Sequence, residues 1–422
     1  MRRRADAYME VRSFGVGQGL FSVAEITADD HAPFRFVYDC GAWDRKYQAG
    51  WGHCDGFLSE VPPEPFDLLV ISHFHADHVN DIPALLSHTG WPAAAWIPYL
   101  APEVRLLYAL TAECQRALSG GPPLGGSGRG LVADPRGFLQ EGGTEVWQIG
   151  GPDDRLVGPP EKRETLPPER ERRHDSERHE GGLALGPPLY WGRVGGFAAY
   201  SADACAPAVG HRPVVELVTW ADPDFATLSL DVLAGLLADG DDPEMWRERL
   251  DDCVASPPGG LDPTAVARLA DAIAERPLRE VNRIYVTLTN QRNERSLFLM
   301  AKPVCFRCSR VSPAGCHCHG RGFLWCGDAP TGTLEELIGT PGPLQDRLVY
   351  VGAWQVPHHG SAYSFSPPLY ERLPTGRDHC FVGYHEPNCY DHPHGPVAAA
   401  AAPYFLNQQA HAFTFHSEWQ AL

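Results

Sequence analysis

Four potential metal ligands fall within six residues, directly after the apolar run 67–71: His73, His75, Asp77 and His78. A short apolar run bounded by turn residues predicts a buried β-strand. Side chains alternate along an extended strand end, so the first two histidines lie on one side of it. The aspartate and the last histidine follow at the turn into a predicted helix. Four nitrogen and oxygen ligands around one strand-to-helix loop indicate a site for zinc or a similar divalent ion.

Two later elements can extend this site. The run 323–326 predicts a strand, and it is followed by Gly327 and Asp328. A carboxylate at a strand end can bridge two metal ions. His358 and His359 follow another apolar run in the same way. Together with the first cluster, these residues supply what a dinuclear site requires.

The order of these motifs resembles that of the metallo-β-lactamase superfamily, and more narrowly its ComEC-like branch, which includes a DNA-uptake nuclease domain and choline-phosphate esterases. The resemblance covers about 1–118 and 281–405. Two departures stand out: Leu20 replaces an acidic residue, and no histidine between His78 and Asp328 occupies a clear strand end, where Asn293 stands instead. The further motifs that carry the resemblance are GVGQG at 15–19, VYDCG at 37–41, NERSL at 293–297, PHHGS at 357–361 and DHP at 391–393.

The resemblance implies an α/β fold, the metallo-β-lactamase αββα sandwich, to which the pattern along the chain adds a long central insertion and a Cys-rich hairpin. It also implies two active-site metals, Zn²⁺ or alternatively Mn²⁺. The first would be held by His73, His75 and Asp328, and the second by Asp77, His78, Asp328 and His359. A mononuclear site stays open. Which of His358 and His359 binds metal is also open, with His359 favoured by resemblance.

A bound divalent metal lowers the pKa of its water toward ~7 and supplies hydroxide at neutral pH. The sequence therefore predicts a metal-dependent hydrolase, and we expect a phosphodiesterase or nuclease. The expected catalytic residues are Asp77, which orients the nucleophile, His358, which protonates the leaving group or binds a phosphate oxygen, and His392, which faces the substrate. The alternatives are an ester, lactone or thioester hydrolase, and a non-catalytic binding module in a multi-protein system.

Charge and composition limit the partners. The chain has 35 Lys and Arg against 53 Asp and Glu, a formal net charge of −18. Such a surface repels nucleic acid and anionic membranes, so the positive charge that attracts a phosphodiester, in nucleic acid or in a small molecule, would come from the metals. No run approaches the ~18 apolar residues of a membrane span. The N-terminus lacks the apolar segment of a signal peptide, and we expect a cytoplasmic protein with no membrane partner.

A second metal site is predicted between two strands. The pairs Cys305 and Cys308, then Cys316 and Cys318, have a spacing compact enough for one structural zinc on a hairpin tip. Reduced surface thiols and a redox pair are the alternatives. The other eight of the 12 cysteines are scattered and are expected to be small buried residues.

The pattern along the chain predicts one catalytic fold in two halves. Helices are expected at 81–88, 102–118, 228–237, 243–253 and 263–275, and a strand among others at 284–288. The stretch 161–180 is charged and almost without apolar residues, which is typical of disorder. The predicted divisions are a first half at 1–119, a disordered linker at 120–189, a mixed insertion with short helices at 190–280, and a second half at 281–422 that includes the zinc hairpin at 302–322.

Overall fold

The fold consists of two β-sheets packed face to face with helices on both outer faces. The computed structural model describes residues 5–28, 33–43, 54–119, 126–149, 183–191, 198–204, 212–220, 230–238, 242–254, 261–289, 296–303, 321–338, 348–385, 391–406 and 412–421. The predicted cysteine ligands 305, 308, 316 and 318, and Asn293, lie outside these residues.

The first sheet has seven strands in the order β15-β1-β2-β3-β4-β5-β6. Neighbours from β15 to β3 are antiparallel, and those from β3 to β6 are parallel. The strands are β1 (Ala5–Phe14), β2 (Gln18–Ala28), β3 (Phe34–Trp43), β4 (Leu68–Val70), β5 (Ala94–Pro98), β6 (Glu145–Ile149) and β15 (Ala412–Ala421).

The second sheet has eight strands in the order β14-β13-β12-β11-β10-β9-β8-β7. Its pairs from β7 to β11 are antiparallel and those from β11 to β14 are parallel. The strands are β7 (Leu183–Trp191), β8 (Ala198–Ala204), β9 (Arg212–Trp220), β10 (Phe298–Pro303), β11 (Gly322–Trp325), β12 (Val351–Gln355), β13 (Cys380–Gly383) and β14 (Tyr404–Leu406).

Helices cover both outer faces. The first sheet packs against α1 (Asp55–Leu58), α2 (Ala76–Val79), α3 (Ile82–Thr89), α4 (Pro102–Ser119), α5 (Gly126–Ala133), α6 (Pro135–Glu141), α7 (Leu230–Ala238), α8 (Pro243–Val254), α9 (Pro263–Ala274) and α10 (Leu278–Thr289). The second sheet packs against α11 (Thr331–Ile338), α12 (Pro367–Tyr370) and α13 (Gly395–Ala401). The predicted αββα fold class is confirmed.

Alternation along the central strands explains the layers. In β3, Phe36 and Tyr38 enter the core between the sheets, whereas Val37 faces the outer helices. In β11, Trp325 faces the same inner core, and its ring stacks on Tyr38 with centroids 5.7 Å apart. Leu324 points to the opposite, helix-covered face. Strands buried on both faces read as continuous apolar runs, which is why the sequence locates them.

Two expectations were wrong. Residues 126–149, placed in a disordered linker, form α5, α6 and the edge strand β6, because Leu131, Leu139 and Val146 supply buried apolar contacts. Residues 284–288, expected as a strand, belong to α10, where Val281, Ile284 and Leu288 are buried at helical spacing. The other predicted domain boundaries stay predictions. In the described part of the chain, no helix is both long and apolar enough to cross a membrane.

The inner core predicts a stability cost. Trp325 is fully buried and contacts Phe36, Tyr38 and Phe323. We expect Trp325→Ala to lower the free energy of unfolding by about 3–5 kcal/mol, because it leaves a cavity between the sheets. Chemical denaturation followed by circular dichroism measures this. Val349→Ala, at an exposed position, should change the unfolding free energy by less than about 0.5 kcal/mol; equal losses in both variants would contradict the assignment.

Candidate metal centre

The parallel strands of both sheets end at one shared edge, and the predicted ligands lie there. β4 leads into His73, β11 into Asp328, and β12 into His358 and His359. A hydrogen bond joins the two sheets at this edge: the Leu297 amide, just before β10, donates to the Ser72 carbonyl oxygen, just after β4, at 2.7 Å. The carboxyl edge of parallel strands is the usual place for a site in an α/β fold.

The first group of ligand atoms is His73, His75 and Asp328. The His73 Nε2 atom lies 2.9 Å from His75 Nδ1 and 3.6 Å from Asp328 Oδ2. The His75 Nδ1 atom is 4.0 Å from the same carboxylate oxygen. His73 and Asp328 are almost completely buried. These atoms converge closely enough to hold a metal ion.

The second group is Asp77, His78 and His359, with ligand atoms that all lie within 4.8 Å of one another. The His359 Nε2 atom is 3.2 Å from Asp77 Oδ2. His359 Nδ1 lies 2.9 Å from the Gly383 carbonyl oxygen, which fixes the orientation of the ring. The structure thus brings the side chains of all six predicted metal ligands together in two groups, and Asp328 belongs to the first of them; metal binding by these residues stays a prediction.

Asp328 lies between the two groups. Its Oδ2 faces the first group, while its Oδ1 is 3.3 Å from His78 Nε2 of the second. The Asp328 amide donates to Ser296 Oγ at 2.7 Å, which fixes the turn. The preceding Gly327 has φ +55°, and a Cβ there would lie only 2.8 Å from that hydroxyl oxygen. The turn therefore needs glycine directly before the carboxylate.

Asp39 orients the His78 ring from the side opposite the ligand groups, a role that was not predicted from the sequence. Its Oδ2 lies 2.8 Å from His78 Nδ1, so Nε2 points toward the ligand groups. The same carboxylate accepts hydrogen bonds from the Ser72 amide and hydroxyl, each at 2.6 Å. A carboxylate that holds the far nitrogen of a ligand histidine is the usual outer support of a metal site. The available signal was an aspartate inside an apolar strand that pairs in parallel with β4.

Two glycines let α2 approach the strands. A Cβ at Gly41 would lie 2.6 Å from the backbone of Asp77 and His78, and one at Gly19 would lie 2.6 Å from the Asp77 carbonyl oxygen. Larger residues at either position would displace the first turn of α2. The glycines of the motifs at 15–19 and 37–41 therefore act by close packing beneath the ligands.

The two remaining predicted catalytic residues border the second group. His358 Nε2 is 3.9 Å from Asp328 Oδ2, but His358 belongs to neither ligand group. The His392 ring centroid is 5.7 Å from that of His358 and 6.4 Å from that of His359. Both are therefore placed at the site. The His358 amide donates to the Gly327 carbonyl oxygen at 3.0 Å, and Gln355 Oε1 accepts the Gly327 amide at 3.0 Å, so the loop of His358 is tied to the turn of Asp328.

The carboxylates favour positive charge at the centre. Burial opposes ionisation, yet the His359 hydrogen bond and the charge of His78 hold the pKa of Asp77 well below its usual range. Burial likewise opposes protonation of His78, but Asp328 and Asp39 hold its pKa well above the ordinary value. Burial lowers the pKa of His358 to about 4, and burial together with His359 lowers that of His392 to about 3.

The side chains fit a divalent cation. His78 Nε2 and Asp328 Oδ1 are buried, and neither has a hydrogen-bond partner in the part of the chain that the structure describes. Buried polar atoms without partners are costly unless an ion or water satisfies them. Imidazole nitrogens and carboxylate oxygens are donors that zinc and manganese accept. The two groups can therefore hold divalent metal, whose identity the donors do not determine.

Residues 34–188 match the family model of the metallo-beta-lactamase superfamily. Over these residues the chain is similar to that superfamily. This match includes the cluster 73–78 and Asp39, while Asp328 and His359 lie beyond it. Among solved structures, the metallo-β-lactamase MIM-1 from Novosphingobium pentaromativorans is similar over 66% of this chain and 91% of that chain, with 14% identity and a TM-score of 0.17, a likeness that carries no argument. No curated protein matches the chain.

The support from Asp39 is testable through metal affinity. We expect Asp39→Asn to weaken metal binding about 10–100-fold, because an amide cannot replace the carboxylate that holds His78. Competition with a chromogenic zinc chelator measures the affinity. Asp67→Asn is the matched control, since Asp67 accepts the Arg35 amide at the start of β4, away from the ligands. Unchanged zinc affinity in the Asp39 variant would contradict the role assigned to it.

Proposed function

We propose that this metallo-β-lactamase-type protein is a dinuclear, zinc-dependent hydrolase whose substrates are phosphodiesters. One observation carries the proposal: the two carboxylate oxygens of Asp328 face two different ligand groups. A carboxylate between two metals is the arrangement of two-metal hydrolytic centres. Zinc is the metal we favour for this set of imidazoles and carboxylates, with manganese as the alternative.

The ligand assignment follows the geometry. His73, His75 and Asp328 would hold one metal, and Asp77, His78, Asp328 and His359 the other. When bound, two such metals supply activated water and stabilise the charge that develops on a phosphoryl group. The network from Ser72 through Asp39 to His78 would orient His78 within the second set.

Three residues of the chain carry the proton and substrate contacts. Asp77, which lies beside His359, would orient the attacking water through its carboxylate. His358 stands next to both ligand groups without belonging to either, and its imidazole would contact the leaving-group oxygen or a phosphoryl oxygen. His392 lies against His358 and faces the substrate from the same side.

The choice of phosphodiesters rests on charge and on the resemblance of the motifs to the ComEC-like branch. Two divalent cations add about +4 at the edge of a protein with a formal net charge of −18. An anionic diester would therefore be attracted locally and repelled elsewhere. This favours a small diester, or one presented singly, over tight nonspecific binding to a nucleic-acid polymer.

The first test joins metal analysis to activity. We expect about two zinc ions per chain at the centre and hydrolysis of bis-p-nitrophenyl phosphate, with a loss of at least about 100-fold in kcat for Asp77→Asn, because this site acts through that carboxylate. Asp67→Asn is the control. Hydrolysis of lactones, thioesters or carboxylic esters without diesterase activity would assign the centre to those bonds instead. A metal-loaded protein inactive on the whole panel would indicate a binding module.

A separate structural zinc is proposed for the Cys-rich hairpin. β10 and β11 are antiparallel neighbours, so the segment between them, with Cys305, Cys308, Cys316 and Cys318, connects a hairpin. We expect Cys305→Ser to remove one zinc per chain and to leave the centre loaded. Mass spectrometry under native conditions counts the metals, with Cys114→Ser on α4 as the control. Unchanged total zinc would exclude this site.

A further inference from the structure

An exposed tyrosine lies in a turn that contacts His358, beside the centre. Tyr363 has a relative accessibility of 81%, the highest among the exposed large apolar or aromatic side chains in the described part of the chain. It lies in the segment 361–364, here called the mouth turn. Single exposed aromatics are common on protein surfaces, so the contacts of the mouth turn must decide whether this one matters.

The backbone of the mouth turn is held at several points. Ser361 Oγ accepts the Tyr363 amide at 3.3 Å, and Thr331 Oγ1 donates to the Tyr363 carbonyl oxygen at 2.8 Å. Ser361 and Ser364 are buried on either side. The tyrosine side chain projects from this fixed backbone, and little of its own surface is buried. A stabilising role in the fold does not account for an aromatic residue at this position.

The mouth turn also contacts the histidines around the centre. The Ala362 amide donates to His394 Nδ1 at 3.0 Å, and Ser364 Oγ lies 3.3 Å from His358 Nδ1. The His392 ring lies between these two histidines, with its centroid 5.0 Å from His394 and 5.7 Å from His358. The mouth turn therefore contacts this group of three neighbouring histidine rings at two points. Tyr363 lies at the middle of the turn, between Ala362, which contacts His394, and Ser364, which contacts His358.

We propose that Tyr363 binds the planar ring of a substrate whose phosphoryl group lies at the metal centre beside His358. The inference rests on the proposed function and narrows it to phosphodiesters that carry an aryl group or a nucleobase. A tyrosine face stacks on a flat ring at little entropic cost, because its side chain has only two main torsions and its backbone is already fixed. The phenol oxygen is not required for stacking, so phenylalanine should replace tyrosine.

The test compares two ligands that share a phosphate and differ in the ring: phenyl phosphate and ethyl phosphate. Calorimetric titration of the zinc-loaded full chain gives their dissociation constants. We expect Tyr363→Ala to weaken phenyl phosphate binding about three- to tenfold and to leave ethyl phosphate binding unchanged. Tyr363→Phe should bind both as the wild type does. Val349→Ala is the matched control, because Val349 is also exposed but precedes β12, at the end of that strand away from His358.

The outcomes separate this inference from the proposed function. Equal losses for both ligands in Tyr363→Ala, or none for phenyl phosphate, would overturn the ring-binding role even if the wild type hydrolyses diesters. A loss specific to phenyl phosphate in Tyr363→Phe would also overturn it, since the hydroxyl would then be the contact. A wild type that shows the ring preference but hydrolyses no phosphodiester would retain the binding role and reject the proposed reaction.

Discussion

The buried carboxylate of Asp328 is the group on which the arrangement of the candidate metal centre depends. A carboxylate removed from water is costly unless positive charge or hydrogen-bond donors replace its solvation. Here the replacement comes from opposite sides: His73 reaches one oxygen and His78 the other. Because these histidines follow β4 while Asp328 follows β11, the charge can be satisfied only when the two sheets pack with these strand ends side by side. The metal centre and the two-sheet fold therefore require the same packing of one sheet against the other.

The local part of the site was predictable because its ligands are close in sequence. A strand that ends in His-x-His-x-Asp-His places all four side chains at one loop whatever the rest of the chain does. Asp328 and His359 were predictable for another reason, since each follows a strand whose apolar run is recognisable. Asp39 was not identified as a support, because its role depends on the parallel pairing of β3 with β4, which no local pattern reveals.

The errors have physical causes as well. The run 284–288 is rich in β-branched residues, but burial of Ile284 and Leu288 on one face of α10 outweighs that propensity. The prediction of disorder, which the charged stretch 161–180 supports, was extended to the whole of 120–189, although residues near Leu131 and Val146 carry enough apolar surface to pack. Both errors arise because tertiary burial, which a single sequence does not display, decides between weak local preferences.

The residues of the centre lie in two segments that are supported differently, here called the floor and the wall. The floor, His73 to His78, rests on β3 and on glycines that admit no side chain, so few substitutions there would leave the ligands in place. The wall carries His358 and His359 with φ of 49° and 51°, a conformation that non-glycine residues adopt at a cost and that surrounding contacts must maintain. The Gly327 carbonyl, which accepts the His358 amide, and the Gly383 carbonyl, which faces His359 Nδ1, provide such contacts. Beyond them the mouth turn leaves its side chain in solvent. The side chain presented by the mouth turn can thus change while the metal ligands keep their positions, because His78 and His359 are held by Asp39 and the Gly383 carbonyl oxygen.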